Sequence, residues 1–493
     1  MTTPPPPAPL ALADGLSREY LLHHQCCPLR FTDDGAVLVG VGPAALREAL
    51  DDIAVAYRRA VVAEHVDAAE LERLVERLIT RSDRSIELEQ GEPDQMEDGG
   101  TADVRDLARQ APVVRYVNLL VRDAYEAGAS DIHLEATRNG LSARVRIDGV
   151  LAAALEPPAE MQQAIVSRIK LLAELDIAER RRPQDGRIRV RLDARELDLR
   201  VSTVPTMFGE SVVLRLLDRG GQPVALEELG MDERLLANIA RLAARPHGMM
   251  LVTGPTGSGK TTTLYGCLMR RDHGSEKILT VEDPIEYQLP GITQVPVHRQ
   301  AGMTFGAALR SILRQDPDVL MIGEMRDTET AEIAVQAAMT GHLVLSTLHT
   351  NDAIAAVPRL LDLGVPEYLV AATLEGILAQ RLVRRICDGC RTTYKPSADL
   401  IAQISGAPVG AVTLQRGAGC AACRGTGFRG RLGIFELVVV DDELRDAITQ
   451  NAPRSRLREM ASAAGSEPLR ADGWRKVRAG LTTVEEVLRV AQG

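Results

Sequence analysis

The chain has 493 residues, of which 45% are apolar and 26% charged; that is length for about three domains and the balance of an ordinary globular protein. Its 58 Lys and Arg against 68 Asp and Glu leave a net charge of −10, and residues 1–100 carry all of that excess, with 19 acidic and 9 basic side chains. The neutral remainder excludes a strongly basic nucleic-acid binder, and the acidic front excludes a basic membrane anchor.

Residues 1–15 are rich in Pro and Ala, with prolines at 4 to 7, and are expected to be disordered. A basic start followed by an apolar run is missing, as is any window of 18 apolar residues. The expectation is a cytoplasmic chain with no transmembrane segment. Residues 16–86 form a small N-terminal domain. There Asp67 and Glu70 make a capping box ahead of Leu71, Leu74, Val75, Leu78 and Ile79 at helical spacing. Residues 87–104 read as an acidic linker, because Glu87 to Asp98 holds six carboxylates and no base.

A middle α/β domain spans 105–219. It opens on a helix predicted over Val113 to Ala127 and stopped by Gly128. Five alternating segments follow as strands: Asp131–Leu134, Ala143–Ile147, Ile188–Val190, Leu197–Val201 and Val212–Leu217. Residues 225–493 form the third domain. Its apolar runs Met249–Val252, Ile278–Val281, Val319–Ile322 and Leu343–Leu348 alternate with helical segments, which implies a mainly parallel sheet covered by helices. A cysteine-bearing insert occupies 387–436, and the tail is helical, with a second capping box at Thr483 and Glu486.

Gly254-Pro255-Thr256-Gly257-Ser258-Gly259-Lys260-Thr261 fits the phosphate-loop pattern, between a predicted strand and the helical start at Thr262. Loop N–H groups and a helix N-terminus can surround phosphate oxygens. Lys260 would bridge the β- and γ-phosphates of ATP, and Thr261 would ligate Mg²⁺. Two further strands end in carboxylates: Glu324 is the candidate acidic partner of the phosphate loop, and Glu282 could polarise an attacking water, though each could be a plain strand-end charge. His342 and His349 bracket a fourth strand, and His349 could contact a γ-phosphate. Cys387-x-x-Cys390 and Cys420-x-x-Cys423 supply four thiolates, the donor set of a closed structural Zn²⁺ site. Cys26, Cys27 and Cys267 have no such partners and read as reduced thiols.

In this order the segments Gly254–Thr261, Thr280–Glu286, Val319–Glu324 and Thr340–Asp352 resemble the Walker A, aspartate, Walker B and histidine boxes of the secretion ATPase superfamily. The phrases Ala129-Ser130-Asp131-Ile132-His133, Arg182-Pro183-Gln184-Asp185-Gly186-Arg187 and Leu343–Asp352 resemble the type II secretion ATPases, the E proteins of the general secretion pathway. Pilus-extension ATPases are the nearest cousins. The resemblance runs from about residue 105 to the end and implies a RecA-like ATPase domain in a homo-hexameric ring. It implies arginines from the middle domain reaching the γ-phosphate, at Arg187 and Arg200, and Glu282 and Glu324 sharing water and Mg²⁺ duties. It further implies a cytoplasmic motor, peripheral at the inner membrane, that drives pseudopilus assembly and protein export. The acidic N-terminal domain would dock on the cytoplasmic domains of inner-membrane secretion proteins. A DNA translocase is the rival; the neutral body and only 14 aromatic residues speak against it.

Overall fold

The computed structural model describes residues 18–32, 35–43, 47–57, 59–67, 70–75, 87–88, 111–192, 195–218, 223–405 and 412–491. The Pro-rich start and residues 89–104 of the acidic stretch lie outside the described residues, as do Leu78 and Ile79. The chain divides into two compact units, residues 1–145 with 152–217, and residues 146–151 with 218–493.

In the first unit, β1 (Cys26–Phe31), β2 (Val37–Val41) and β3 (Val61–His65) form a three-stranded sheet. β1 pairs antiparallel with β2, and β2 parallel with β3. The helices Arg18–His23 and Arg47–Tyr57 join this sheet around Leu21, Val37, Val39, Ile53, Leu71 and Val75, all buried. Asp67 Oδ1 accepts from the Glu70 N–H at 2.7 Å and so starts the helical stretch at 70–75, as its capping pattern predicts.

The larger sheet of this unit has the order β4-β8-β9-β10-β5-β6-β7. Its strands are β4 (Glu87–Leu88), β5 (Ala129–Thr137), β6 (Gly140–Ile147), β7 (Val150–Ala153), β8 (Gln184–Leu192), β9 (Arg195–Thr206) and β10 (Gly209–Asp218). All five predicted segments are strands. The predicted opening helix spans Ala111–Glu126, and Gly128, at φ +66°, turns the chain out of it. Glu87 and Leu88 pair with β8 on the sheet edge. In the helix Gln162–Leu172, whose Ile165 and Ile169 are buried, Lys170 is also buried and is bonded to Glu210 Oε1 at 2.6 Å.

The second unit is built on the order β13-β12-β14-β15-β11-β16-β19. β11 (Gly248–Thr253), β12 (Ile278–Glu282), β14 (Val319–Ile322) and β15 (Leu343–Leu348) are buried at every residue. Such runs suit parallel strands covered on both faces. Met249 and Leu251 face one helical layer, and Met250 and Val252 face the other, where Leu264, Tyr265 and Leu268 pack. β13 (Thr293–Pro296) closes one edge, in parallel with β12. On the other side β16 (Leu374–Ile386) runs parallel to β11 and antiparallel to β19 (Phe428–Val439). Side-chain caps fix the surrounding helices: Asp232 starts Glu233–Ala243, Thr304 starts Phe305–Ile312 and Asp327 starts Thr328–Met339.

β16 leads directly into the cysteine-bearing segment. There β17 (Arg391–Tyr394) and β18 (Leu414–Gly417) pair antiparallel beside the helix Ala398–Ser405, and β19 returns the chain to the main sheet. The tail folds as Asp442–Thr449, Arg454–Ala463, Leu469–Arg478 and Val484–Val490. Thr483 caps the last of these by accepting from the Glu486 N–H. Among the described residues, no helix is long and apolar enough to cross a membrane.

Candidate active site and metal centre

Gly254–Lys260 leaves the C-terminal end of β11, an inner strand between β15 and β16. This is the end of a parallel sheet where ligands bind. Gly254, Gly257 and Gly259 all take positive φ, at +150°, +78° and +85°. Pro255, Thr256 and Gly257 form an exposed crest, while Ser258 and Lys260 turn inward. The helix Lys260–Met269 begins without a side-chain cap and without an acid in its first turn. Its leading N–H groups therefore favour an anion. Thr261 and Thr262 lie half-buried in that turn.

The Lys260 ammonium donates to the carbonyls of Gly254 at 2.8 Å and Pro255 at 3.0 Å. Burial is the main cause that pulls it down to about 8; Glu324 opposes this and Arg381 adds to it. The Ser258 Oγ is buried, and among the described residues it has no hydrogen-bond partner. A buried orphan hydroxyl in a glycine loop, beside a cation satisfied only by backbone carbonyls, fits a polyanion.

Glu324 lies just beyond β14. Its Oε2 stands 2.6 Å from Arg326 Nε and 3.4 Å from His349 Nε2, with its side chain 13% exposed. Burial, then the charge of Lys260, lowers the His349 pKa, so the ring is neutral at pH 7. Lys260, Glu324 and His349 thus share one field. The resemblance gives Glu282 and Glu324 shared duties; in the structure Glu282 has partners of its own. It is 2% exposed. Thr280 Oγ1 donates to it at 2.6 Å, Gln294 Nε2 at 3.0 Å, and the Tyr265 hydroxyl also donates. Three of the roughly four lone-pair positions of a carboxylate are occupied.

Arg187 and Arg200 belong to the first unit. They face each other as register partners on β8 and β9 and line a cleft of about 430 Å³ with Asp185, Ser202 and Arg215. Local packing explains the motif around them. A Cβ on Gly186 would lie 2.6 Å from the Ala173 carbonyl, so only glycine fits. Gln184 Nε2 donates to the carbonyls of Asp176 and Glu179. Asp131 of the Ala-Ser-Asp-Ile-His phrase holds Arg215 at 2.9 Å across β5 and β10.

The sulfurs of Cys387, Cys390, Cys420 and Cys423 all lie within 4.8 Å of one another. Three pairs stand at 3.7–3.8 Å. A tetrahedral centre with Zn–S bonds of about 2.3 Å places its sulfurs about 3.8 Å apart, so the donor set fits that metal. Backbone N–H groups of Gly419, Cys420 and Gly427 point at the sulfurs at 3.1–3.3 Å. Such donors stabilise thiolate charge.

Set beside known proteins, residues 106–489 match the family described as "Type II/IV secretion system protein". The chain belongs to that family. The type II secretion system protein HxcR of Pseudomonas aeruginosa is 52% identical over 390 residues, covering 79% of this chain and 80% of the relative. The type II secretion system protein E of Xanthomonas campestris pv. campestris is 45% identical over 492 residues, 99% of this chain and 86% of its own. A crystal structure of the pilus retraction motor PilT with bound ADP superposes with a TM-score of 0.51 at 28% identity, covering 76% of this chain and 96% of PilT. The membership accounts for the RecA-like sheet and for the order of boxes along it.

Thr253, Tyr265, Gln294 and Arg381, which the motifs did not flag, join the candidate site through hydrogen bonds. Thr253 Oγ1 contacts Thr350 Oγ1 at 2.7 Å and accepts from the Thr350 N–H, which ties the start of the phosphate loop to the histidine box. Arg381 donates to the Asn351 carbonyl at 2.7 Å. Tyr265 and Gln294 close over Glu282. Polar residues in otherwise apolar runs, such as Gln380 and Arg381 in β16, were the available signal.

Proposed function

We propose that this secretion ATPase hydrolyses Mg·ATP as a ring-shaped, homo-hexameric motor at the cytoplasmic face of the inner membrane. Its work there is pseudopilus assembly and the export of folded proteins by a type II secretion system. The observation that carries the reading is the phosphate loop itself, with the orphan Ser258 hydroxyl and the loop-bound Lys260 ammonium. Higher identity to type II secretion proteins, 45–52%, than to a type IV pilus assembly ATPase, 40%, supports the type II assignment over pilus extension.

ATP would enter with its phosphates over Gly254–Thr262. Lys260 would exchange the carbonyls of Gly254 and Pro255 for phosphate oxygens. Thr261 and Glu324 are the residues that would hold Mg²⁺, which screens phosphate charge during transfer. Glu324, the less enclosed of the two carboxylates, faces Lys260 and His349 and so can orient the attacking water. Glu282 supports it by fixing Tyr265 and Gln294. Arg187 and Arg200 would hold the γ-phosphate until cleavage and release it afterwards, a difference in contacts on which a power stroke can be built. Zn²⁺ at the four cysteines would hold the insert closed and stay outside the chemistry.

Lys260→Ala tests the core of this reading. It should bring steady-state ATP turnover to background with an unchanged circular dichroism spectrum. Wild-type turnover in that variant would refute the mechanism. Co-purification with cytoplasmic domains of type II, rather than pilus, inner-membrane proteins decides the pathway.

A further inference from the structure

β16 lies beside β11, and Ala379 is the register partner of Thr253, the last residue before the phosphate loop. Gln380 therefore sits beneath the point where the loop begins. It is 1% exposed, a polar side chain in a strand that is otherwise largely apolar.

Gln380 meets the phosphate loop at three places. A Cβ on Gly254 would lie 2.5 Å from the Gln380 carbonyl oxygen. A Cβ on Gly259 would lie 2.8 Å from Gln380 Nε2. Thr263, in the first turn of the helix that follows, donates its hydroxyl to Gln380 Oε1 at 2.6 Å. The glycines at both ends of the loop are thus required partly because Gln380 occupies the space a side chain would need. The next residue fixes the arrangement from outside. Arg381 donates to the Gln380 carbonyl at 3.0 Å and to the Asn351 carbonyl at 2.7 Å, so one guanidinium spans the floor of the loop and the histidine box.

We infer that Gln380 is a positioning residue for the phosphate loop, its main-chain oxygen, side-chain amide and Thr263 partner together setting the loop's grip on the nucleotide phosphates. The inference rests on the reading of Gly254–Thr261 as an ATP site. Gln380→Glu keeps the size and the Oε1 acceptor but puts a carboxylate where the Nε2 end faces Gly259. That charge opposes bound phosphates, and its protonation at lower pH removes the opposition.

The test measures MgATP and adenosine affinity, kcat and melting temperature for the full chain. The proteins are wild type, Lys260→Ala, Gln380→Glu, and Thr263→Val, which removes the hydroxyl and keeps the volume. Gln380→Glu should weaken MgATP binding at least about tenfold at pH 8 and regain most of it at pH 6, with adenosine binding unchanged. Thr263→Val should lower kcat about tenfold or more, the scale on which small misplacements of a reacting group act. A purely structural role would lower the melting temperature and leave these nucleotide readouts alone. If folded Gln380→Glu binds MgATP like wild type at pH 8, the inference is overturned. If Gln380→Glu does not fold, Thr263→Val decides alone, and wild-type kcat there overturns it. A wild-type protein that binds no MgATP, or a fully active Lys260→Ala, would instead sink the ATP-site reading.

Discussion

Lys260 is held as a cation in surroundings that disfavour one. Its ordinary value is 10.5, and burial brings it to about 8. Without nucleotide, the folded chain therefore binds fewer protons than the unfolded chain between about pH 8 and 10.5. The penalty of holding the charge is complete below pH 8 and fades as pH rises through that window. Phosphates supply the missing counter-charge and push the ammonium back up. ATP binding at pH 8.5 should therefore take up protons, seen as a binding enthalpy that varies with the ionisation enthalpy of the buffer. Lys260→Met should abolish this dependence, and equal enthalpies in all buffers for wild type would contradict the argument. His349 reaches the same field already neutral, so it adds no charge that would repel Lys260.

At the scale of single elements, the tail helix Val484–Val490 is fastened by one carboxylate. Glu486 is 3% exposed. It accepts from the Arg384 guanidinium at 2.7 Å, the Arg384 N–H at 3.0 Å and Arg489 at 2.8 Å. Burial pushes its carboxyl up, but these donors outweigh burial and hold it at about 2. Its stabilisation is present above the ordinary value of 4.5 and is lost as pH falls from there toward 2. Glu486→Gln should cost about 2 kcal/mol at pH 7 and less below pH 3, measured by denaturant unfolding, since it takes the counter-charge from the half-buried Arg384 and the exposed Arg489. An equal cost at both pH values would show that charge is not what fastens the tail. Sequence patterning revealed Thr483 and Glu486 as a capping box, and the four parallel strands by their apolar runs. It did not reveal Arg384 as Glu486's partner, because the two lie about a hundred residues apart and pairing at that range has no local periodicity. β16 escaped notice for a related reason: Gln380, Arg381, Arg384 and Arg385 break its apolar run, and their partners come from other elements. Likewise Glu282 and Glu324 look alike as strand-end acids, and only Tyr265, Thr280 and Gln294 separate them.

For the whole molecule, the acidic surplus lies in the first hundred residues, before every nucleotide-site residue along the sequence. A docking role for this part predicts that removing residues 1–95 leaves basal ATP turnover within about twofold but loses recruitment to inverted inner-membrane vesicles carrying the secretion partners. Anionic lipid alone should not recruit the full chain, because its charge has the wrong sign. Recruitment of the truncated chain at wild-type level would end that role. The seven cysteines also sort themselves. Cys26, Cys27 and Cys267 are 0% exposed, and burial raises their thiols to about 11, 12 and 12. The other four converge on one point. The native chain therefore carries its own optical gauge of the insert: a maleimide dye should stay almost colourless on the zinc-loaded protein and report about four thiols once a chelator has stripped one zinc per chain. Four labelled thiols before chelation, with no zinc by elemental analysis, would mean the cluster works without metal.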